Sequence, residues 1–184
     1  DTVDSWFAYG DWGNGAVLNK SEVLTDSLTA VGVVSNTVMH VEYTAGGWGV
    51  GTGVDISPFE DWSGYDGLSF WFYGTNSGNE IKIILTDNAG ERQATTFIDD
   101  FTGWKKLRFP WQVFYRDPGY QPDGAPDDGL TLTAVEAVAF APAVGTSGTF
   151  YMDQLVLFQS TADVVDSVGN DTVESSVADG DRGS

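Results

Sequence analysis

The chain has 184 residues, of which 41% are apolar and 14% are aromatic; this is enough for one domain with a real core and excludes an intrinsically disordered chain. The formal net charge of −19 would repel nucleic acid, an anionic membrane surface and acidic polysaccharides, whereas neutral ligands and Ca²⁺ stay possible. No cysteine is present, which excludes disulfides and thiolate chemistry. The acidity suits solubility in salty water, and we expect a marine or halotolerant source.

Short runs of β-branched and aromatic residues alternate with turns rich in Gly, Asn and Asp about every ten residues. Together with the 23 glycines, which disfavour long helices, this spacing predicts an all-β fold of two packed antiparallel sheets. A turn or two of helix is expected only near residues 58–62. About nine strands are predicted, at 5–9, 37–45, 48–56, 68–73, 81–86, 92–98, 104–109, 136–141 and 150–157.

Catalysis has little support in the sequence. His40 is the only histidine, lies in a strand-like run and has no nucleophile-elbow motif beside it. A pair of carboxylates could hydrolyse a glycosidic bond, but 27 acidic residues satisfy that spacing by chance. We therefore expect the isolated chain not to be an enzyme.

Two segments differ from this pattern of strands and turns. Residues 111–131 form a long loop that concentrates two tyrosines, an arginine, carboxylates and an amide, and loops of this length inside a domain are usually functional. The last residues are acidic and lack aromatics. We expect a β-sandwich over residues 1–158 and an extended acidic tail over 159–184.

The order and spacing of four segments, 61–70, 103–110, 120–122 and 148–155, resemble those of family 11 carbohydrate-binding modules. The resemblance covers roughly residues 1–158. It implies a jelly-roll β-sandwich of the galactose-binding-like type, whose concave sheet binds linear β-glucans and which holds structural Ca²⁺. The whole chain also looks like the extra C-terminal segment of marine bacterial exo-β-glucanases of glycoside hydrolase family 3.

Carried over residue by residue, the resemblance places cleft tyrosines at Tyr9 and Tyr120, and a cleft acid at Glu136. One family tyrosine falls at Gly47, next to Trp48, and another falls at Pro142. Aromatic rings cover the apolar faces of a pyranose, while carboxylates, guanidinium groups and amides bind its hydroxyls. The predicted ring platforms are Tyr9, Trp48, Tyr115 and Tyr120, and the predicted hydroxyl partners are Arg92, Gln93, Arg116, Asp117, Gln121 and Glu136.

Calcium is the second kind of ligand considered. Asp153 shares its strand face with Tyr151 and Leu155, and a carboxylate on an inward-facing stripe needs a partner. The family resemblance places calcium near the first and last strands, so Asp1, Asp4 and Asp153 are the expected ligands. Alternatively, Asp153 accepts backbone hydrogen bonds at the rim of the sandwich.

These observations favour a non-catalytic accessory module of a secreted or periplasmic glycoside hydrolase that binds neutral β-glucan. The expected partners are the glucan and the parent catalytic domain. In the alternative hypothesis the module docks on that catalytic domain and shapes its active site without sugar affinity of its own.

Overall fold

Eleven strands form two antiparallel sheets in the computed structural model, which describes residues 3–24 and 37–160. The predicted all-β jelly-roll sandwich is confirmed. The six-stranded sheet has the order β1-β4-β10-β6-β7-β9 and the five-stranded sheet has the order β2-β3-β11-β5-β8. The strands are β1 (Trp6–Gly10), β2 (Val17–Leu24), β3 (Thr37–Thr44), β4 (Val50–Glu60), β5 (Gly67–Thr75), β6 (Glu80–Asp87), β7 (Glu91–Ile98), β8 (Thr102–Pro110), β9 (Tyr115–Arg116), β10 (Val135–Pro142) and β11 (Ser147–Phe158).

The helix expected near residues 58–62 is not present, because β4 continues through Pro58 to Glu60. The described residues contain only short 3₁₀ turns besides the strands, and none of their helical segments is long and apolar enough to cross a membrane. The predicted tail, apart from residues 159 and 160, lies outside the described residues.

The core between the sheets consists mainly of aromatic and aliphatic side chains that alternate along the strands. In β5, Phe70 and Phe72 are 0% and 1% exposed. Phe70 meets Phe140 of the opposite sheet edge-to-face, with ring centroids 5.1 Å apart. Each such buried ring contributes about 1.5–3 kcal/mol to folding. The aromatic-rich sequence thus stabilises the sandwich without disulfides.

Two glycines of β4 leave space on the outer face of the six-stranded sheet. Gly51 and Gly53 of β4 lie opposite Tyr9 and Phe7 of β1. A Cβ atom at Gly51 would come within 2.5 Å of the Tyr9 ring, so the ring lies across the β4 backbone at this point. The glycines therefore let two aromatic rings lie against the sheet.

The long segment between β9 and β10 folds back over part of the same face. The side chain of Gln121 bonds both the amide and the carbonyl of Arg92 in β7, at 2.9 and 2.7 Å. Next to Arg92, the outward-facing Ala94 is 0% exposed. The loop thus covers the β7 side of the sheet and leaves the β1 side open.

The two ends of the described fold lie at one end of the sandwich. Ser5, just before β1, and Leu157, near the end of β11, line the same hollow. β1 then runs toward Gly10, which is paired with Val50. Val50 belongs to a groove at the other end of the sheet.

Candidate functional site

A groove of about 700 Å³ lies on the open part of the six-stranded sheet. Its floor is formed by Lys82 and Ile84 of β6 and by Ala141 of β10. Tyr9 and Trp48 line one part of it, and Arg92, Asp117 and Tyr120 line another. The groove therefore brings together five of the ten residues that the sequence predicted to bind carbohydrate.

The aromatic part of the groove consists of Tyr9 and Trp48. Their rings are nearly parallel, with an angle of 7° between the planes and 6.3 Å between the centroids. Trp48 is 62% exposed and Tyr9 is half-buried over Gly51. Burial raises the pKa of the Tyr9 phenol, so its hydroxyl is protonated at neutral pH and can both donate and accept a hydrogen bond.

Tyr120 supplies a second ring in the groove, with the Arg92 guanidinium group stacked on it. The guanidinium carbon of Arg92 lies 4.5 Å from the centroid of the Tyr120 ring, a cation–π contact. Tyr120 is 55% exposed. Among the described residues no carboxylate pairs with Arg92, so its N–H groups are available to an acceptor in the groove.

Asp117 and Lys82 supply a partly buried ion pair in the groove. The carboxylate of Asp117 is 3% exposed and lies 3.0 Å from the Lys82 ammonium group. It also accepts the backbone N–H of Gly119 at 2.9 Å. Because these bonds occupy the buried Asp117 carboxylate, Lys82, whose side chain is 32% exposed, is the more accessible member of the pair and supplies a hydrogen-bond donor.

Gln121 does not line the groove; instead, its side chain holds the long loop against β7. Its side-chain oxygen accepts the Arg92 N–H. Its side-chain nitrogen donates to the Arg92 carbonyl and, at 3.0 Å, to the Asp117 carbonyl. These three bonds use both N–H donors and one acceptor site of the side chain. Gln121, predicted to bind a hydroxyl, instead fixes the two neighbouring groove residues.

The structure does not bring four predicted residues into the groove. Gln93 points to the opposite side of β7 from Arg92 and is 2% exposed, because side chains alternate along a strand. Tyr115 is 53% exposed but does not line the groove. Arg116 pairs with Glu91 and Asp127 at 2.7 and 3.3 Å. Glu136 is partly buried outside the groove, near Asp87.

Beneath the long loop, two buried carboxylates face each other across the β6–β7 hairpin. Asp87 is paired with Glu91, and both are 0% exposed. Asp87 accepts the Thr131 amide at 2.5 Å, while Glu91 accepts the Arg116 Nε–H at 2.7 Å. Burial raises the pKa of Asp87 to about 6; the Thr131 hydrogen bond opposes this shift, and nearby negative charges, chiefly that of Glu91, reinforce it.

Sequence reasoning missed Lys82, Ala143 and Val144, which also line the groove, and it reached position 142 only as the place where Pro142 replaces a family tyrosine. Lys82 alternates with Ile81 and Ile83, which face the core, and this alternation was the available indication that Lys82 lies on the outer face of the sheet. Val144, which is 60% exposed, carries no chemistry that the sequence could identify.

Of the predicted calcium ligands, Asp1 lies outside the described residues and Asp4 is exposed in the 3₁₀ turn before β1. Asp153 lines a smaller cavity of about 290 Å³ together with Glu22 of β2. Its Oδ2 atom is buried without a hydrogen-bond partner, and burial raises its pKa. No group of three or more carboxylate or imidazole side chains suited to a metal is found in the described ranges.

His40 lies on the outer face of the other sheet, away from the groove. Its ring stacks on Tyr151 with centroids 4.7 Å apart, and Ser21 Oγ is 3.3 Å from its Nδ1. It thus has the strand position that the sequence predicted, with Ser21 as its polar neighbour.

Three similarities to known proteins agree with this geometry. Endoglucanase H of Acetivibrio thermocellus is 30% identical over 141 residues, which are 71% of this chain and 15% of the relative. The chain thus spans less than a sixth of that relative's length. A family 11 carbohydrate-binding module from Clostridium thermocellum, solved with a β-1,3-1,4-mixed-linked tetrasaccharide, is 27% identical with a TM-score of 0.70, covering 87% of this chain and 92% of the module.

The family 11 module of the cellulosomal cellulase Lic26A-Cel5E of C. thermocellum is 25% identical, with a TM-score of 0.67, over 85% of this chain and 88% of that one. The model of the carbohydrate binding domain of family 11 matches residues 2–160. This match includes every strand of both sheets and all groove residues. The chain therefore belongs to the family 11 carbohydrate-binding domains.

Proposed function

We propose that the chain is a non-catalytic accessory module that binds neutral, mixed-linked β-glucan in the groove between Trp48 and Tyr120. The observation that carries this proposal is the pairing of two exposed rings with hydrogen-bond donors in one groove. The similar C. thermocellum module was solved in complex with a β-1,3-1,4-mixed-linked tetrasaccharide, which supports the choice of glucan.

The groove chemistry fits an uncharged sugar chain. Trp48 and Tyr120 offer ring faces to the C–H surfaces of pyranoses, while Lys82, Arg92 and the Tyr9 hydroxyl offer hydrogen bonds. Each stacked ring adds about 1 kcal/mol beyond area burial, which is about fivefold in Kd. Because binding also costs rigid-body freedom, we expect affinities in the high micromolar to millimolar range.

Affinity electrophoresis in gels that contain mixed-linkage β-glucan tests the proposal, with laminarin gels for linkage preference. We expect the chain to be retarded by mixed-linkage glucan, and Tyr120→Ala to lose about fivefold in affinity. Tyr115→Ala is the matched control, since Tyr115 is equally exposed on the same segment but outside the groove. Migration unaffected by any neutral β-glucan would refute sugar binding and favour the docking alternative.

The parent protein is part of the same proposal. The relative named endoglucanase H is much longer than this chain, which supports an accessory role beside a catalytic domain of a secreted or periplasmic glycoside hydrolase. A family 3 exo-β-glucanase as that parent stays a prediction, and the reading frame on either side of residues 1–184 tests it.

Calcium is proposed as a structural ion in the cavity beside β11. The orphaned Oδ2 of Asp153 and the Glu22 carboxylate, which shares this cavity, are hard oxygen ligands of the kind that Ca²⁺ takes. The ion would neutralise both carboxylates and tie β2 to β11. Asp153 and Glu22 are thus the residues that would hold it.

A further inference from the structure

Trp48 belongs to a turn whose position is set by another turn. The segment between β3 and β4, residues 45–49, lies against the segment between β1 and β2, residues 11–16. Asp11 joins them twice: its backbone N–H donates to the Gly49 carbonyl at 3.0 Å, and its carboxylate accepts the Trp48 N–H at 3.2 Å.

The Asp11 carboxylate is itself held in place. Both of its oxygens accept hydrogen bonds from the Asn14 side-chain amide, at 2.8 and 3.0 Å. The Asp11 carbonyl accepts the amides of Asn14 and Ala16, at 2.9 and 3.2 Å. A fixed carboxylate at this point gives the Trp48 backbone one preferred position.

The approach of the two turns depends on glycine. Gly47 has φ +57°, and a Cβ atom at this position would overlap the Asp11 carboxylate. A Cβ at Gly46 would lie 2.6 Å from the backbone of Gly15. The absence of side chains at 46 and 47 therefore allows Asp11 to reach the amide of residue 48.

The indole of Trp48 has little else to hold it. It is 62% exposed, and its ring contact is with Tyr9, nearly parallel at 6.3 Å. The orientation of this ring then follows largely from the backbone that Asp11 fixes. We infer that Asp11 is a positioning residue for glucan binding, which acts by holding Trp48 parallel to Tyr9; this deepens the proposed function and rests on it.

A double-mutant cycle tests the inference, with Kd for the mixed-linkage tetrasaccharide as the readout. We expect Trp48→Ala and Asp11→Ala each to weaken binding about fivefold. The double variant should bind no more weakly than Trp48→Ala alone, because both changes remove the same platform. Full additivity of the two losses would overturn the inference, as would wild-type affinity in Asp11→Ala.

Two further variants separate positioning from a general structural or charge effect. Asp61→Ala removes the same charge and a similar bond, in which the Asp61 carboxylate accepts the Ser63 N–H at 2.9 Å, and its neighbours Glu60 and Trp62 lie at the end of the sandwich opposite the groove; it should bind like the wild type. Asp11→Asn keeps an oxygen to accept the Trp48 N–H and should retain an affinity close to that of the wild type. Loss of binding in Asp61→Ala, or no rescue in Asp11→Asn, would contradict the inference.

A measurement without ligand keeps the inference distinct from the proposed function. In ¹⁵N relaxation experiments, the indole N–H of Trp48 should become more mobile in Asp11→Ala and stay as in the wild type in Asp61→Ala. If the wild type binds no glucan, the proposed function fails, while the relaxation data still decide whether Asp11 orders Trp48. Unchanged indole relaxation in Asp11→Ala would overturn the positioning role.

Discussion

The buried carboxyl of Asp87 should make the stability of the module fall as pH rises. Its pKa is about 6 in the folded protein against an ordinary value of 3.8. A group with a raised folded pKa stabilises the fold while both states are protonated, below pH 3.8, and this contribution is lost as pH rises through 6. Two pKa units correspond to about 3 kcal/mol.

Asp87→Asn isolates this contribution, because the amide is neutral at all pH values and its oxygen can still accept the Thr131 N–H. Urea unfolding of both proteins at a series of pH values from about 4 to about 7.5 measures the difference. We expect the wild type to lose about 2.5 kcal/mol relative to Asp87→Asn over that range, slightly less than the full contribution because the unfolded carboxyl is already more than half ionised at pH 4.

The same pH dependence in both proteins would refute the reasoning, and so would a wild type that becomes relatively more stable as pH rises. The loop that carries Tyr120 is anchored at Thr131, so glucan affinity provides a second readout. If Asp87 affects the loop only through global stability, Kd should be constant with pH as long as the protein is folded.

Three other predictions concern the sheet, a buried carboxylate and the metal. Gly51→Ala should displace the Tyr9 ring and weaken glucan binding severalfold in a gel-retardation assay; unchanged affinity would contradict the packing described. Asp99→Ala should cost about 3 kcal/mol or more in urea unfolding, because Asp99 is buried and its carboxylate accepts bonds from Thr75 and Ser77; a loss below about 1 kcal/mol would count against it. A chelator should lower the Tm of wild type but not of Asp153→Ala, and equal Tm shifts would remove the calcium proposal.

The strands were predictable where inner and outer faces have opposite chemistry. Ile81 and Ile83 alternate with Lys82, so periodicity indicated β6, whereas β5 was found as a run of aromatic residues between turns, because Trp71 makes its outer face aromatic as well. β2 was missed because it is an edge strand whose apolar residues lie at its two ends, around a polar stretch at 19–22, and so do not form one apolar face. The helical turn predicted near residues 58–62 does not form, because β4 pairs with β10 beyond Pro58, as far as Glu60.

Half of the predicted binding residues line the groove, because residue type indicates which bonds a side chain can make but not which way the side chain points. Tyr120 was found from the family resemblance and its place in the long loop, Arg92 was found from its residue type, and both reach the groove. Arg92 and Gln93 are adjacent in a strand, and only the register decides which one faces the ligand. Arg116 and Gln121 have suitable chemistry, but internal partners, Glu91 and the Arg92 backbone, occupy them.

The shared location of Ser5 and Leu157, opposite the groove, has a consequence for how such a module is attached. Residues joined directly to either end of the described fold therefore start at the end of the sandwich remote from Trp48 and Tyr120. Under the proposed accessory role, attachment and sugar binding thus use opposite ends of one sandwich.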